Sequence, residues 1–144
     1  MSIPLFSWPI RVYYEDTDLS GVVYHAGYLR YLERARTEWL RALGFSQERL
    51  KTELGVAFTV VSMEIDFRRP ARLDDCLEAT VEVEVRKRAS LGFVQTVRYA
   101  GDDRTELVRV RARVACVDLA GFKPCALPEA IYSVVEVRVP EEHK

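Results

Sequence analysis

A chain of 144 residues, 49% of them hydrophobic, suits one domain with a sizeable core and is too apolar to stay disordered. Its 21 basic and 22 acidic residues leave a net charge of −1, so no global field draws it to nucleic acid or to an anionic membrane surface. No segment approaches the roughly 18 apolar residues of a membrane helix, and the opening MSIPLFSWPIR has two prolines and no basic stretch, which argues against a secretory signal and for a cytoplasmic protein.

A β-type run predicts a first strand from Ile10 to Glu15. The acidic residues Glu15, Asp16 and Asp18 follow in a turn-prone stretch that ends on Ser20 and Gly21. Val22 to His25 then lead into a long helix predicted from about Ala26 to Leu43. Tyr28, Leu32, Ala35, Trp39 and Leu43 recur at helical spacing as its apolar stripe, with Arg30, Glu33, Arg34, Arg36, Glu38 and Arg41 on the other positions. Gly44 suits the position after the helix, and Ser46 suits the N-cap of a short helix from Gln47 to Leu54, stopped by Gly55. Beyond this the pattern changes to period two. Val61, Met63, Ile65 and Phe67 form one apolar face, Leu77, Ala79, Val81, Val83 and Val85 a second, and Val108, Val110, Ala112 and Val114 a third. The stretch Leu91 to Tyr99 is a less regular strand, Gly101 to Arg104 a hairpin turn, and Pro128 with Glu129 the start of a last short helix. One strand, a long helix and four more strands make an α+β domain, an antiparallel sheet with one buried helix, undivided over residues 1–144.

The acidic turn is where chemistry is expected. A carboxylate at a helix N-terminus can attack a carbonyl or activate water, while backbone N–H groups receive the developing negative charge. The residues alone leave Asp18 open between that role and a plain turn cap. Asp16 reads as a holder of loop N–H groups and Glu15 as a solvated charge. Arg86, Lys87 and Arg88, followed by Ser90, form the one compact basic run between two strands, open to a phosphate or to solvent. Cys76, Cys116 and Cys125 lack metal-ligand spacing and read as free thiols in a reducing compartment. His25 and His143 add too few ligands for zinc, so no metal and no cofactor is expected.

The segment YYEDTDLSGVVYH, from Tyr13 to His25, and the helix HAGYLRYLERARTEWLRALG that continues it resemble the acyl-CoA thioesterases of the hotdog fold. Within the 4-hydroxybenzoyl-CoA thioesterase-like family, the likeness is to the small YbgC-type thioesterases associated with the bacterial Tol-Pal system, and it runs over nearly the whole chain. It implies a single hotdog domain, with an antiparallel five-stranded sheet wrapped around a long central helix, and pairing into homodimers or homotetramers with sites across the interface. It implies hydrolysis of short-chain or aromatic acyl-CoA, with Asp18 as nucleophile or general base and Tyr14 and His25 beside it. Gly21, Val23 and Tyr24 then fall on the substrate side, and Arg86, Lys87, Arg88 and Ser90 at the CoA phosphates and pantetheine. Acyl-CoA is the implied substrate; acyl carrier protein and phospholipid-synthesis enzymes are the partners such relatives suggest. Two other readings compete. A hydratase or dehydratase of the same fold places a His before a Pro-rich loop, whereas no proline follows His25 until Pro70. A non-enzymatic module that binds acyl-CoA or acyl carrier protein has no need of Asp18.

Overall fold

The computed structural model describes residues 5–101 and 105–138. Strand β1 (Phe6–Arg11) and a 3₁₀ turn (Tyr14–Asp16) precede helix α1 (His25–Ala42). A short α2 (Gln47–Arg49) runs on into a π-helical turn (Leu50–Leu54). The long strands β2 (Val56–Phe67), β3 (Cys76–Arg86), β4 (Ser90–Tyr99) and β5 (Glu106–Asp118) follow, then a two-residue β6 (Lys123–Pro124) and α3 (Glu129–Val134). The sheet runs β1-β3-β4-β5-β2, every pair antiparallel, with β6 added to β5. Helix α1 lies across one face of it, over β3 and against β1 and β4. This is the hotdog arrangement, with six strands rather than five because Lys123 and Pro124 pair with Asp118 and Val117.

The core follows from the two periodicities. Along β5, Val108, Val110, Ala112 and Val114 face the helix while Arg109, Arg111 and Arg113 face away. The helix answers with Tyr28, Tyr31, Leu32, Ala35 and Leu40, all buried, and with a half-buried Trp39 whose ring stands edge-on to Phe93 at 5.2 Å. One polar group sits inside this layer. Gln95 is fully buried on β4, donates to the carbonyls of Leu32 and Thr80 at 3.1 and 3.3 Å, and accepts from the Arg36 guanidinium at 2.8 Å. It thereby ties helix to sheet with its amide satisfied on both ends.

Three expectations need correction. The first strand covers 6–11, not 10–15. The Asp16 carboxylate accepts the Tyr13 N–H at 2.9 Å and the Asp16 N–H donates to the Tyr13 carbonyl at 2.9 Å, so side-chain capping folds the chain out of the ladder. In β2 the register shifts between Val60 and Ser62, so Val60 shares a sheet face with Met63 while remaining exposed, and Val61 is the extra residue of a bulge. The short helix after Ser46 is α-helical only to Arg49 before it widens. The hairpin turn from Gly101 to Arg104 and the tail with His143 lie partly or wholly outside the described residues.

Candidate active site

The loop between β1 and α1 is a small, tightly bonded unit. Asp18 N–H donates to the Val22 carbonyl and Gly21 N–H to the Asp18 carbonyl, both at 3.0 Å, which closes residues 18–22 into a turn. Val23 N–H reaches the Ala71 carbonyl at 2.8 Å and Tyr24 N–H the Asp16 carbonyl at 3.2 Å, so the turn is pinned at both sides. Gly27 allows this closeness: a Cβ there would stand 3.1 Å from the Val23 side chain. Its place in the helix is explained by packing within the chain. Asp16, 6% exposed, sits below with its carboxylate on the Tyr13 N–H, and the Tyr31 hydroxyl is buried within its electrostatic reach but outside hydrogen-bond geometry. Burial first, and the Asp16 carboxylate second, push the Tyr31 phenol far above its ordinary pKa, so it stays neutral.

The start of α1 is open. Its N-cap, Tyr24, contributes no side-chain hydrogen bond, and no acidic residue occupies the first turn. The N–H groups of His25 and Ala26 have no acceptor within the helix and point where the helix dipole favours negative charge. Asp18, exposed to solvent, lies within electrostatic reach of His25 at this end of the helix. Its Oδ1 accepts from the Ser20 N–H at 2.8 Å and from the Ser20 hydroxyl. Its Oδ2 has no partner among the described residues. The Ser20 hydroxyl, then the Ser20 amide, hold the carboxyl below its ordinary pKa of 3.8, with smaller help from the Val22 N–H and from His25 and some opposition from desolvation. One oxygen is therefore tethered, and the other, on an ionised and exposed carboxylate, is without a hydrogen-bond partner among the described residues.

The other expected site residues divide. The His25 ring packs on Phe67 at 4.6 Å and lines a recess of about 210 Å³ with Val22, Val23, Tyr28 and Arg69. Val23 is itself 3% exposed, so its contribution is structural or through its backbone. Tyr24 and Gly21 are exposed and do not line this recess. Tyr14 is 82% exposed and belongs to another concavity, with Tyr13, Leu73 and Asp74. Lys87 and Arg88 are exposed on the β3–β4 turn, closed by Lys87 N–H to the Ser90 carbonyl at 2.9 Å. Lys87 and Ser90 also border a groove of about 390 Å³ with Glu84, Arg111 and Arg113. Arg86 does not stand with them. Its guanidinium donates to the carbonyls of Tyr132 and Val135 at 3.0 and 2.9 Å and covers the Tyr132 ring at 4.4 Å. Ser20 and Phe67 were missed from the sequence. The spacing of Ser20 two residues after Asp18 is an Asx-turn signal that was there to read; Phe67 is brought to His25 only by the fold.

Gly21 has φ +82° with open space around it. Gly21→Ala should then cost backbone strain alone, about 1–2 kcal/mol, and loosen the turn that aims Asp18. A fall in kcat with an unchanged far-UV spectrum is expected; full activity would mean the turn tolerates rearrangement.

A family model described as the thioesterase-like superfamily matches residues 12–135. The acyl-CoA thioester hydrolase YbgC of Escherichia coli O6:H1 is 49% identical over 131 residues, 91% of this chain and 96% of that protein. The acyl-CoA thioesterase YbgC of Haemophilus influenzae is 47% identical over 126 residues, 88% of this chain and 90% of that protein. Among solved structures, a probable thioesterase from Bartonella henselae superposes with a TM-score of 0.81 at 34% identity, over 87% of this chain and all (100%) of that one.

Proposed function

The chain belongs to the thioesterase-like superfamily and is a thioester hydrolase, and from that premise we propose that it cleaves acyl-CoA to the free acid and CoA with Asp18 as nucleophile. The observation that carries this reading is a tethered, ionised Asp18 carboxylate, its Oδ2 without a partner among the described residues, within electrostatic reach of His25 at an uncapped helix N-terminus. A carboxylate held below its ordinary pKa is a poor base for water, but it needs no deprotonation to attack. Attack of Oδ2 on the thioester carbon forms a tetrahedral oxyanion, which the His25 and Ala26 N–H groups would receive. Collapse breaks the C–S bond and leaves an acyl–Asp18 anhydride. The CoA thiolate takes a proton from water or from His25, and a second water opens the anhydride to the acid. The recess walled by Phe67, Tyr28 and His25 suits a short chain or a single aromatic ring.

The functional test is a panel of short, medium, long and aromatic acyl-CoA thioesters, with the matching acyl carrier protein thioesters, read by release of free thiol. Turnover concentrated in the short or aromatic acyl-CoAs is expected. Silence across the whole panel would sink the reading. The acyl carrier protein arm also decides whether that protein is a partner, since both carriers present the same pantetheine arm.

We further propose a homodimer, itself able to pair into a tetramer. Strand β2 is an edge of 12 residues with Val60, Val61 and Phe67 each more than 40% exposed. A long apolar edge is an aggregation hazard unless a second copy covers it. Phe67 ends that edge and also touches His25, so covering it encloses the recess. Replacing Val60 and Val61 together with Lys should dissociate the dimer, because an isologous interface doubles each introduced charge, and activity should fall with it. Sedimentation velocity at micromolar concentration is the check; a wild-type monomer with full activity overturns the proposal. Among the described residues no helix is long and apolar enough to cross a membrane.

A further inference from the structure

Two of the three cysteines meet behind the basic turn. Cys116 near the end of β5 and Cys125 just after β6 have their sulfurs 3.7 Å apart. They are cross-strand neighbours: Val117 pairs with Pro124, Asp118 with Lys123, and the Cys125 N–H donates to the Cys116 carbonyl at 2.9 Å. Paired residues of an antiparallel ladder have Cα atoms about 4.5–5.5 Å apart, inside the range of about 4.4–6.8 Å that a disulfide spans. Cys76 is elsewhere, exposed at the start of β3 opposite Arg11.

The same strands carry the turn that bears Lys87 and Arg88. Cys116 N–H donates to the Ala89 carbonyl and Leu127 N–H to the Arg88 carbonyl, each at 2.8 Å. The turn is thus held from one side by the residue that carries one sulfur and from the other by a residue two beyond the second.

We propose that Cys116 and Cys125 form a peroxide-sensitive oxidation site, a dithiol that closes to an intrachain disulfide and shifts the Lys87–Arg88 turn. The kinetic half of this proposal rests on the acyl-CoA reading; the chemical half does not. The two thiols differ in a useful way. Cys125 is half-exposed and meets the oxidant, whereas Cys116 is fully buried and its thiol is pushed up to about 12 by burial and then by Cys125. Cys125 loses its proton to solvent and its thiolate attacks one oxygen of hydrogen peroxide. An S–O bond forms, the O–O bond breaks, and the departing hydroxide takes up a proton to become water. Cys116 sulfur then attacks the sulfenic sulfur, the S–S bond forms, the S–O bond breaks, and hydroxide leaves with the Cys116 proton as a second water. Two thiols lose two electrons and one peroxide is reduced. Burial of Cys116 slows this second step but also keeps competing thiols away from it. Drawing the sulfurs from 3.7 Å to about 2.05 Å moves the segment after β6 toward β5, and the Leu127–Arg88 bond carries that movement into the turn.

The experiment treats the full chain with hydrogen peroxide, blocks remaining thiols, and reads intact mass and digested peptides with and without dithiothreitol. Loss of two hydrogens with one linked peptide pair, Cys116 to Cys125, reversed by dithiothreitol, is expected. Cys125→Ser should abolish the link and keep the activity of the reduced protein. A link through Cys76, or sulfinic acid on Cys125 with no link, overturns the site. Kinetically, the linked form should shift KM for acyl-CoA by about three-fold or more and leave acyl-pantetheine, which lacks the nucleotide, unmoved. A linked protein with unchanged KM overturns the coupling. A reduced protein that hydrolyses no acyl-CoA fails the proposed function, and the mass readout still decides the dithiol.

Discussion

Asp18→Asn should lower kcat by on the order of 10²–10⁴-fold, the range for loss of a group acting directly in the chemical step. Stability should barely move, because the side chain is exposed and its turn is closed by backbone bonds that Asn keeps. Rapid quench with peptide mass mapping adds a mechanistic readout: an acyl group caught on Asp18 supports nucleophilic attack, whereas turnover with no adduct under any quench would return Asp18 to the role of base. The pH profile is a second handle. The folded carboxyl lies below 3.8, so as pH falls the carboxylate survives past the ordinary value and activity disappears only as pH drops through the lowered one. Ser20→Ala removes the largest cause of that lowering and should move the acid limb upward toward 3.8. The matched control, Asp16→Asn, separates chemistry from architecture. Asp16 is buried and holds the Tyr13 N–H, so its neutral amide should destabilise the fold by about 1–3 kcal/mol and affect rate chiefly through loop position. Near-normal turnover by Asp18→Asn at saturating acyl-CoA would falsify the assignment.

Much of this architecture was legible in the chain because it is written locally. The helix from His25 to Ala42, the inward face of β3 as far as Val83 and that of β5 show in their periods, and the acidic turn before the helix shows in residue types that favour turns; Val85, read with the same face of β3, is exposed beyond a register shift. The missing parts depend on partners distant in sequence. Nothing near Arg86 announces that its guanidinium will reach carbonyls at Tyr132 and Val135, 46 and 49 residues on. Gln95 interrupts an apolar strand and looks unfavourable until Arg36, Leu32 and Thr80 surround it. The bulge at Val61 hides because Val60 and Val61 are the same residue type, so the phase slip leaves no mark in the pattern. From Val12 to Tyr14 the β-type residues suggested a strand, and one side-chain acceptor, Asp16, turned the segment into a cap.

The placement of Arg86 divides the basic run into two experiments. In sequence, Arg86, Lys87 and Arg88 are one basic run, which the family resemblance sets as a unit at the CoA phosphates. In the fold, Arg86 is already engaged with α3, whose last carbonyls it caps as a cation at a helix C-terminus, and with the Tyr132 ring. Arg86→Ala should therefore act on stability. Charge-assisted hydrogen bonds to carbonyls contribute about 1.5–3 kcal/mol each when well desolvated, and a half-buried site retains part of that. A fall in Tm of about 3–10 °C is expected for a chain of this size, with KM of the folded fraction little changed. Lys87 and Arg88 are exposed and make no ion pair among the described residues, so Lys87→Ala with Arg88→Ala should leave Tm nearly constant and raise KM for acyl-CoA by about ten-fold, equivalent to about 1.4 kcal/mol. An acyl-pantetheine should feel little of this, since it carries no nucleotide. The ten-fold effect should also shrink as salt rises, because solvent-facing charges are screened over about 8–10 Å. If these side chains only decorate a solvated turn, KM stays unchanged for both substrates at every ionic strength. Equal losses on acyl-CoA and acyl-pantetheine would instead trace to damage of the turn itself, which the Leu127 N–H holds at the Arg88 carbonyl and which side-chain truncation should spare.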